Sequence, residues 1–245
     1  MNQGWHSILL EEGPQNPEAT SFIGGKPKLP INISLPVCKD CGTPLTFFFQ
    51  VAFPEGHHWA GKSLAFFYCI HQYDKHTRDK ILSLPGIDIE QDEFHIINHS
   101  LAPERYQTQF RAVVFDTELG VMCESYVPQI VYREITWKPS KKKDKKVPII
   151  LGGEPIGRDR GKNGWFRPLS YDKKPMDIIL QVAEYFNFPK YPDAPPEMEE
   201  DVLPLRLTPR EKPDYTLWCE FNRIYLWGPI DPTDPVVYID LENDI

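Results

Sequence analysis

The residues with the clearest chemical potential are Cys38 and Cys41, which bracket Lys39 and Asp40 and are followed at once by Gly42. Two thiolates at this spacing can take adjacent corners of a zinc tetrahedron, and the glycine permits the turn that brings them together. A knuckle of this kind supplies two ligands only. Cys69 and His71 lie two positions apart in LAFFYCIH, so a strand would project them from the same face and let them complete a Cys3His zinc site. The competing reading is a set of reduced thiols, one pair at a turn and one thiol in a strand, with His71 at the strand edge. Redox chemistry fits less well, because the CxxC does not open a helix whose dipole would lower a thiol pKa. Cys123 and Cys219 have no such neighbours and read as buried, apolar-like residues.

Other chemistry-bearing residues are more dispersed. His95 and His99 would align on a helix or a strand, with Glu93 nearby, but the pattern is not HExxH and reads as solvated histidines. His57-His58 falls in a turn-rich hairpin loop and reads as surface. The chain has no GxSxG elbow and no phosphate-binding loop, so the expectation is a protein that is not an enzyme. The segment Arg158 to Arg167 (RDRGKNGWFR) combines basic and aromatic residues with turn formers, and Arg158, Arg160, Trp165, Phe166 and Arg167 are the candidate partner-binding residues. They would suit an acidic protein surface or a phosphate backbone. Trp59, Trp165, Phe166, Trp218, Tyr225 and Trp227 read either as partner-binding aromatics or as core and inter-unit packing.

Positioning these residues falls to short elements. The 245-residue chain is long enough for a conventional core, is 41% apolar and contains 25 prolines, about twice the usual share, which disfavours long helices. Leu45 to Phe53 (LTFFFQVAF) reads as a half-buried strand with Leu45, Phe47, Phe49, Val51 and Phe53 on one face and Thr46 and Gln50 on the other. Leu64 to His71 pairs with it across the turn-rich PEGHHWAGK segment. Strands are expected at Arg111 to Phe115, Val121 to Tyr126, Ile130 to Trp137, Tyr215 to Trp227 and Val236 to Leu241. Helices are expected at Thr77 to Leu84, and at Pro175 to Phe186 with Met176, Ile179, Val182, Ala183 and Phe186 on one face.

Gly24, Gly25 and Pro27 precede the first strand pair, and Gly152, Gly153 and Pro155 precede the last strands; each reads as a tight structural turn. The predicted class is α+β: a β-rich chain of two fused, similar units of antiparallel strands with few short helices. The units are 1–139, with the knuckle, and 148–245, with the second GGxP, joined by a lysine-rich linker at 140–147.

GGKPKLP, LPVCKDCGTPLTFFFQVAFPEG and SLAFFYCIH together resemble the opening of the YwqG and programmed cell death protein 2 superfamily, the TYPP domain. Gly24, Gly25, Pro27, Leu29, Pro30, Cys38, Cys41, Gly42, Pro44, Leu45, Phe47, Gln50 and Cys69 fall on that pattern, and the plan is nearer to the bacterial YwqG-like members. The resemblance implies a duplicated α+β fold without established catalysis. For eukaryotic members it implies escort of a small-subunit ribosomal protein, and for bacterial ones immunity beside toxins or RNA-linked roles.

A net charge of −8 opposes nucleic acid and anionic membranes and favours a basic partner. The N-terminus lacks a signal peptide, no apolar run would span a bilayer, and an odd number of cysteines fits a reducing compartment, so a cytoplasmic location is expected. The expected function is a non-catalytic protein-binding module, an escort or a toxin-neutralising protein, whose partner is a basic protein. The alternatives are RNA binding through the lysine run and Arg158 to Arg167, and a zinc-dependent enzyme.

Overall fold

The computed structural model describes residues 4–38, 42–70, 110–140, 144–156, 170–171, 174–200, 207–210, 212–217, 222–233 and 235–243. In chain order the strands are β1 (Gly4–Leu9), β2 (Phe22–Ile23), β3 (Lys28–Leu29), β4 (Thr46–Ala52), β5 (Lys62–Tyr68) and β6 (Phe110–Asp116), then β7 (Val121–Met122), β8 (Arg133–Ser140) and β9 (Ile149–Gly152). They continue with β10 (Ser170–Tyr171), β11 (Lys174–Val182), β12 (Phe188–Pro189), β13 (Glu197–Glu200), β14 (Leu207–Arg210), β15 (Asp214–Tyr215), β16 (Asn222–Pro229) and β17 (Tyr238–Asn243). One antiparallel sheet takes the order β17-β16-β11-β9-β1-β8-β2-β4-β5-β6, with β10 beside β11. It curls into a half-barrel. Two-stranded pairs β3-β7, β12-β15 and β13-β14 lie off this path.

The α+β expectation is corrected: the structure is almost entirely β, and the only helical turn among the described residues is the 3-10 segment Thr117–Leu119. The helix expected at Pro175 to Phe186 is strand β11. Its helical spacing of apolar residues is overridden by strand pairing, with β9 through Leu180–Val182 on one side and with β16 along Met176–Val182 on the other. A strand flanked on both sides and covered on both faces needs a continuous apolar run, and such a run carries helical spacing by chance. The helix expected at Thr77 to Leu84 lies outside the described residues.

The sheet has an internal correspondence. Outward from its centre, β1-β9-β11-β16-β17 matches β8-β2-β4-β5-β6. Trp5 and His6 of β1 face Leu151 and Ile150 of β9, as Arg133 and Glu134 of β8 face Ile23 and Phe22 of β2. Gln181 faces Ile150 as Gln50 faces Phe22, and a register shift falls between Ile178 and Leu180 of β11 as it does between Phe47 and Phe49 of β4. Ile8 pairs with Thr136, its own counterpart, which marks the pseudo-twofold axis. In chain order the leading strands β1 and β8 each pair with the strand that follows the other one, β1 with β9 and β8 with β2, so the lysine-bearing residues 141–148 join β8 to β9 as residues 10–21 join β1 to β2.

These register shifts decide where the core sits. Strict alternation would put Phe47 and Phe49 on one face, but the extra residue flips the phase. Phe47 joins Phe22, Ala65 and Phe67 in one apolar cluster, while Phe48, Phe49 and Val51 join the main cluster. In β11, Ile178 packs with Tyr225 and Trp227, while Ile179, Leu180 and Val182 enter the main cluster. The main cluster therefore spans both sets of strands, and β4 is buried on both faces where the sequence predicts a half-buried strand. Trp59, at the tip of the β4-β5 hairpin, ties the two sets together by donating from Nε1 to the Pro229 carbonyl at 2.7 Å.

Candidate functional site

The described ends of the knuckle segment are hydrogen-bonded to one another. The Cys38 amide donates to the Thr43 carbonyl at 2.8 Å, the Gly42 amide donates to the Cys38 carbonyl at 3.0 Å, and Val37 bridges Pro44. Gly42 has φ +74°, the left-handed conformation that its missing Cβ permits. Cys38 and Cys69 are buried in the same apolar cluster with Leu45, Phe47 and Phe67, and neither is in a disulfide. Cys41 and His71 lie outside the described residues. Among the described residues no three His, Cys, Asp or Glu side chains gather closely enough to hold a metal ion. Cys123 is half-buried, and burial pushes its thiol pKa up, away from nucleophilic use at neutral pH.

Arg158, Arg160, Trp165, Phe166 and Arg167, with Glu93, His95, His99, Trp218 and Cys219, also fall outside the described residues. Of the two readings of the aromatics, core packing holds for the three that are described. Trp59, Tyr225 and Trp227 are all buried, because the flipped phase in β4 and β11 gives the sheet apolar cover on both faces and room for more aromatics than one core would hold. The His57-His58 pair is likewise no surface pair: His57 is 5% exposed.

The two Gly-Gly turns are built alike. Gly24 and Gly25 have φ of +59° and +68°, and Gly152 and Gly153 have +59° and +78°. Each turn is held by a glutamine on the neighbouring strand: Lys28 donates its amide to Gln50 Oε1 at 3.0 Å, and Ile156 donates its amide to Gln181 Oε1 at 3.0 Å. Gln181 goes further, donating from Nε2 to the carbonyls of Gly152 at 3.1 Å and Glu154 at 3.2 Å. The sequence carried a signal for this that the GGxP match alone misses. Gln50-Val51-Ala52 and Gln181-Val182-Ala183 repeat one another, each with a polar amide set in an apolar run.

The turns differ in what covers them. A Cβ on Gly25 would lie 2.6 Å from Gln15 Oε1 and 3.0 Å from the Tyr132 ring. Tyr132 directly precedes Arg133, the counterpart of Trp5, so the residue that matches Tyr132 at the second turn is Gly4. Without that ring the second turn opens onto a cleft of about 380 Å³ lined by Trp5, Gly56, His57, His58, Gly152, Gly153 and Asp177. His57 stacks on His58 with ring centroids 4.4 Å apart and on Phe53 at 4.7 Å. The Trp59 amide donates to His57 Nδ1 at 3.0 Å, and the Nε2 atoms of His57 and His58 are buried with no hydrogen-bond partner among the described residues. Burial, followed by the neighbouring His58, pushes the His57 pKa down to about 3. Burial also lowers that of His58, against the opposing pull of Asp177.

The chain matches no family model and no curated protein. Its function is therefore read from its surfaces. Three exposed apolar residues lie in or next to the pair β3-β7: Ile31, on the turn after β3, is 96% exposed, and Leu119 and Val121 are 51% and 57% exposed. Leu29 pairs with Val121 in antiparallel register, Ile31 follows Leu29 by two residues, Leu119 precedes Val121 by two, and Glu118 is exposed. Composition alone does not mark this face, since three isolated apolar residues in turns look no different from core residues in a linear sequence. No described helix is long and apolar enough to cross a membrane.

Proposed function

We propose that the protein is a non-catalytic cytoplasmic binding module, an escort or toxin-neutralising partner, that holds a basic protein against the β3-β7 face. The observation that carries this reading is the exposure of Ile31, Leu119 and Val121, each more than half exposed and within two residues of the paired Leu29 and Val121, with Glu118 exposed next to Leu119 in the chain. Exposed apolar residues fit protein recognition, and a chain of net charge −8 speeds encounter with a basic partner. The resemblance to YwqG-like proteins points the same way.

The test is co-purification at low and high salt of the full chain and of an Ile31→Ser/Leu119→Ser/Val121→Ser variant. The wild type is expected to retain a stoichiometric basic protein that high salt weakens and that the folded variant fails to hold. Equal recovery with the variant, or no stoichiometric protein at either salt, would overturn the reading.

A further inference from the structure

The cleft at the second Gly-Gly turn is separate from the β3-β7 face and has its own chemistry. His57 fixes its character. Its Nδ1 lone pair is taken by the Trp59 amide, so the neutral ring carries its proton on Nε2. That makes the buried Nε2 a hydrogen-bond donor with no acceptor among the described residues, an arrangement that calls for a partner. The same tautomer argues against a metal ion, which would need the Nε2 lone pair. Among the described residues the lining contains no lysine or arginine, and Asp177 adds a carboxylate, a set that disfavours an anionic ligand. What remains is a neutral group that can accept from imidazole and donate to carboxylate at once. Hydroxyl groups do both.

We propose that this cleft binds the vicinal diol of a small neutral polyol, either a free monosaccharide or the ribose of a nucleoside. Its volume, about 380 Å³, lies at the small end of ligand sites and suits such a molecule. Trp5 and the stacked His57-His58 rings supply flat apolar walls for the C–H faces of a sugar, and the Gly152-Gly153 turn lets backbone approach where a side chain would block it. The first turn, which shares the fold, lacks the function: Tyr132 and Gln15 pack over it. Gly4 in the place of that tyrosine is thus the substitution that separates a structural turn from a binding turn.

Histidine- and indole-selected nitrogen–proton NMR of the full chain at neutral pH tests this with D-glucose, D-ribose and adenosine as probes. The expected result is a His57 ring in the neutral Nε2–H form and saturable shifts of the Trp5 and His58 signals with at least one probe. Response to the free sugars or to adenosine alone tells which source supplies the diol. Asp177→Asn, which keeps the side-chain oxygen that accepts from the Ile178 amide, should weaken the effect about tenfold, as should His57→Phe. Absence of shifts with all three probes in folded protein, shifts produced only by zinc chloride or inorganic phosphate, or equal affinity in both variants would overturn the proposal.

Discussion

Replacing Gln181 by methionine removes one acceptor and two donated hydrogen bonds from a fully buried site at nearly constant side-chain length. The Ile156 amide loses its partner, and the Gly152 and Glu154 carbonyls lose the Nε2 contacts. Each buried group deprived in this way costs about 1–3 kcal/mol, partly offset by removing the amide's own desolvation, so the expected loss is roughly 2–4 kcal/mol. Gln50→Met provides the internal control, because Gln50 accepts only from the Lys28 amide among the described contacts and should cost about 1–2 kcal/mol. Urea denaturation followed by tryptophan fluorescence measures both, with an unchanged slope required for the difference in midpoint to be read as stability. A Gln181→Met variant within about 0.5 kcal/mol of wild type, or one less destabilised than Gln50→Met, would refute the view that these glutamines clamp the turns.

Four further predictions follow from local geometry. Gly153→Ala places a Cβ 3.2 Å from the Gly4 Cα at φ +78°, whereas Gly42→Ala meets no described atom within 4 Å at φ +74°, so thermal unfolding should show a larger loss for the first than the ~1–2 kcal/mol expected of the second. Gly228→Ala drives a Cβ to 2.4 Å from Trp59 Cζ2 and should cost several kcal/mol. Combined with Trp59→Phe it should be clearly less damaging than the two single losses together, and strict additivity would count against the contact. Because the folded-state pKa of His57 is depressed to about 3, the unfolded chain binds the extra proton between that value and about 6.5. Stability should therefore fall as pH drops through this window, by up to about 1.4 kcal/mol per unit, with a flatter profile in His57→Phe. The knuckle reading predicts stoichiometric zinc by elemental analysis and its loss in Cys38→Ser; metal-free protein with an unchanged Tm would leave Cys38 and Cys69 as core thiols.

Much of the sheet was legible because alternation survives wherever no bulge intervenes. Leu64, Phe66, Tyr68 and Ile70 enter one cluster and Ala65, Phe67 and Cys69 the other, as the period of two requires. Phe48, Phe49 and Ile179 were not legible, since a one-residue register shift reverses the face of everything beyond it and leaves no compositional trace. Strand β11 reads as a helix from sequence for a related reason: an apolar run long enough to be buried on both sides also satisfies a helical stripe. The paired GGxP turns were visible as a repeat, but their asymmetry depends on Gly4 and Tyr132 reaching equivalent places through the exchange of β1 and β8, a consequence of long-range pairing. His57 and His58 read as surface residues from sequence because a short loop with glycine and proline usually lies at the surface. Here Phe53, Trp5 and Trp59 close over it.

Photo-crosslinking from a benzophenone residue placed at position 31 in the otherwise native chain, in cells, tests the binding reading most directly, with position 12 on an exposed acidic turn as the comparison. The account predicts one dominant covalent adduct from position 31, with a basic protein, that is lost when Leu119 and Val121 are changed to serine. Adducts no more abundant or specific than those from position 12 would contradict it.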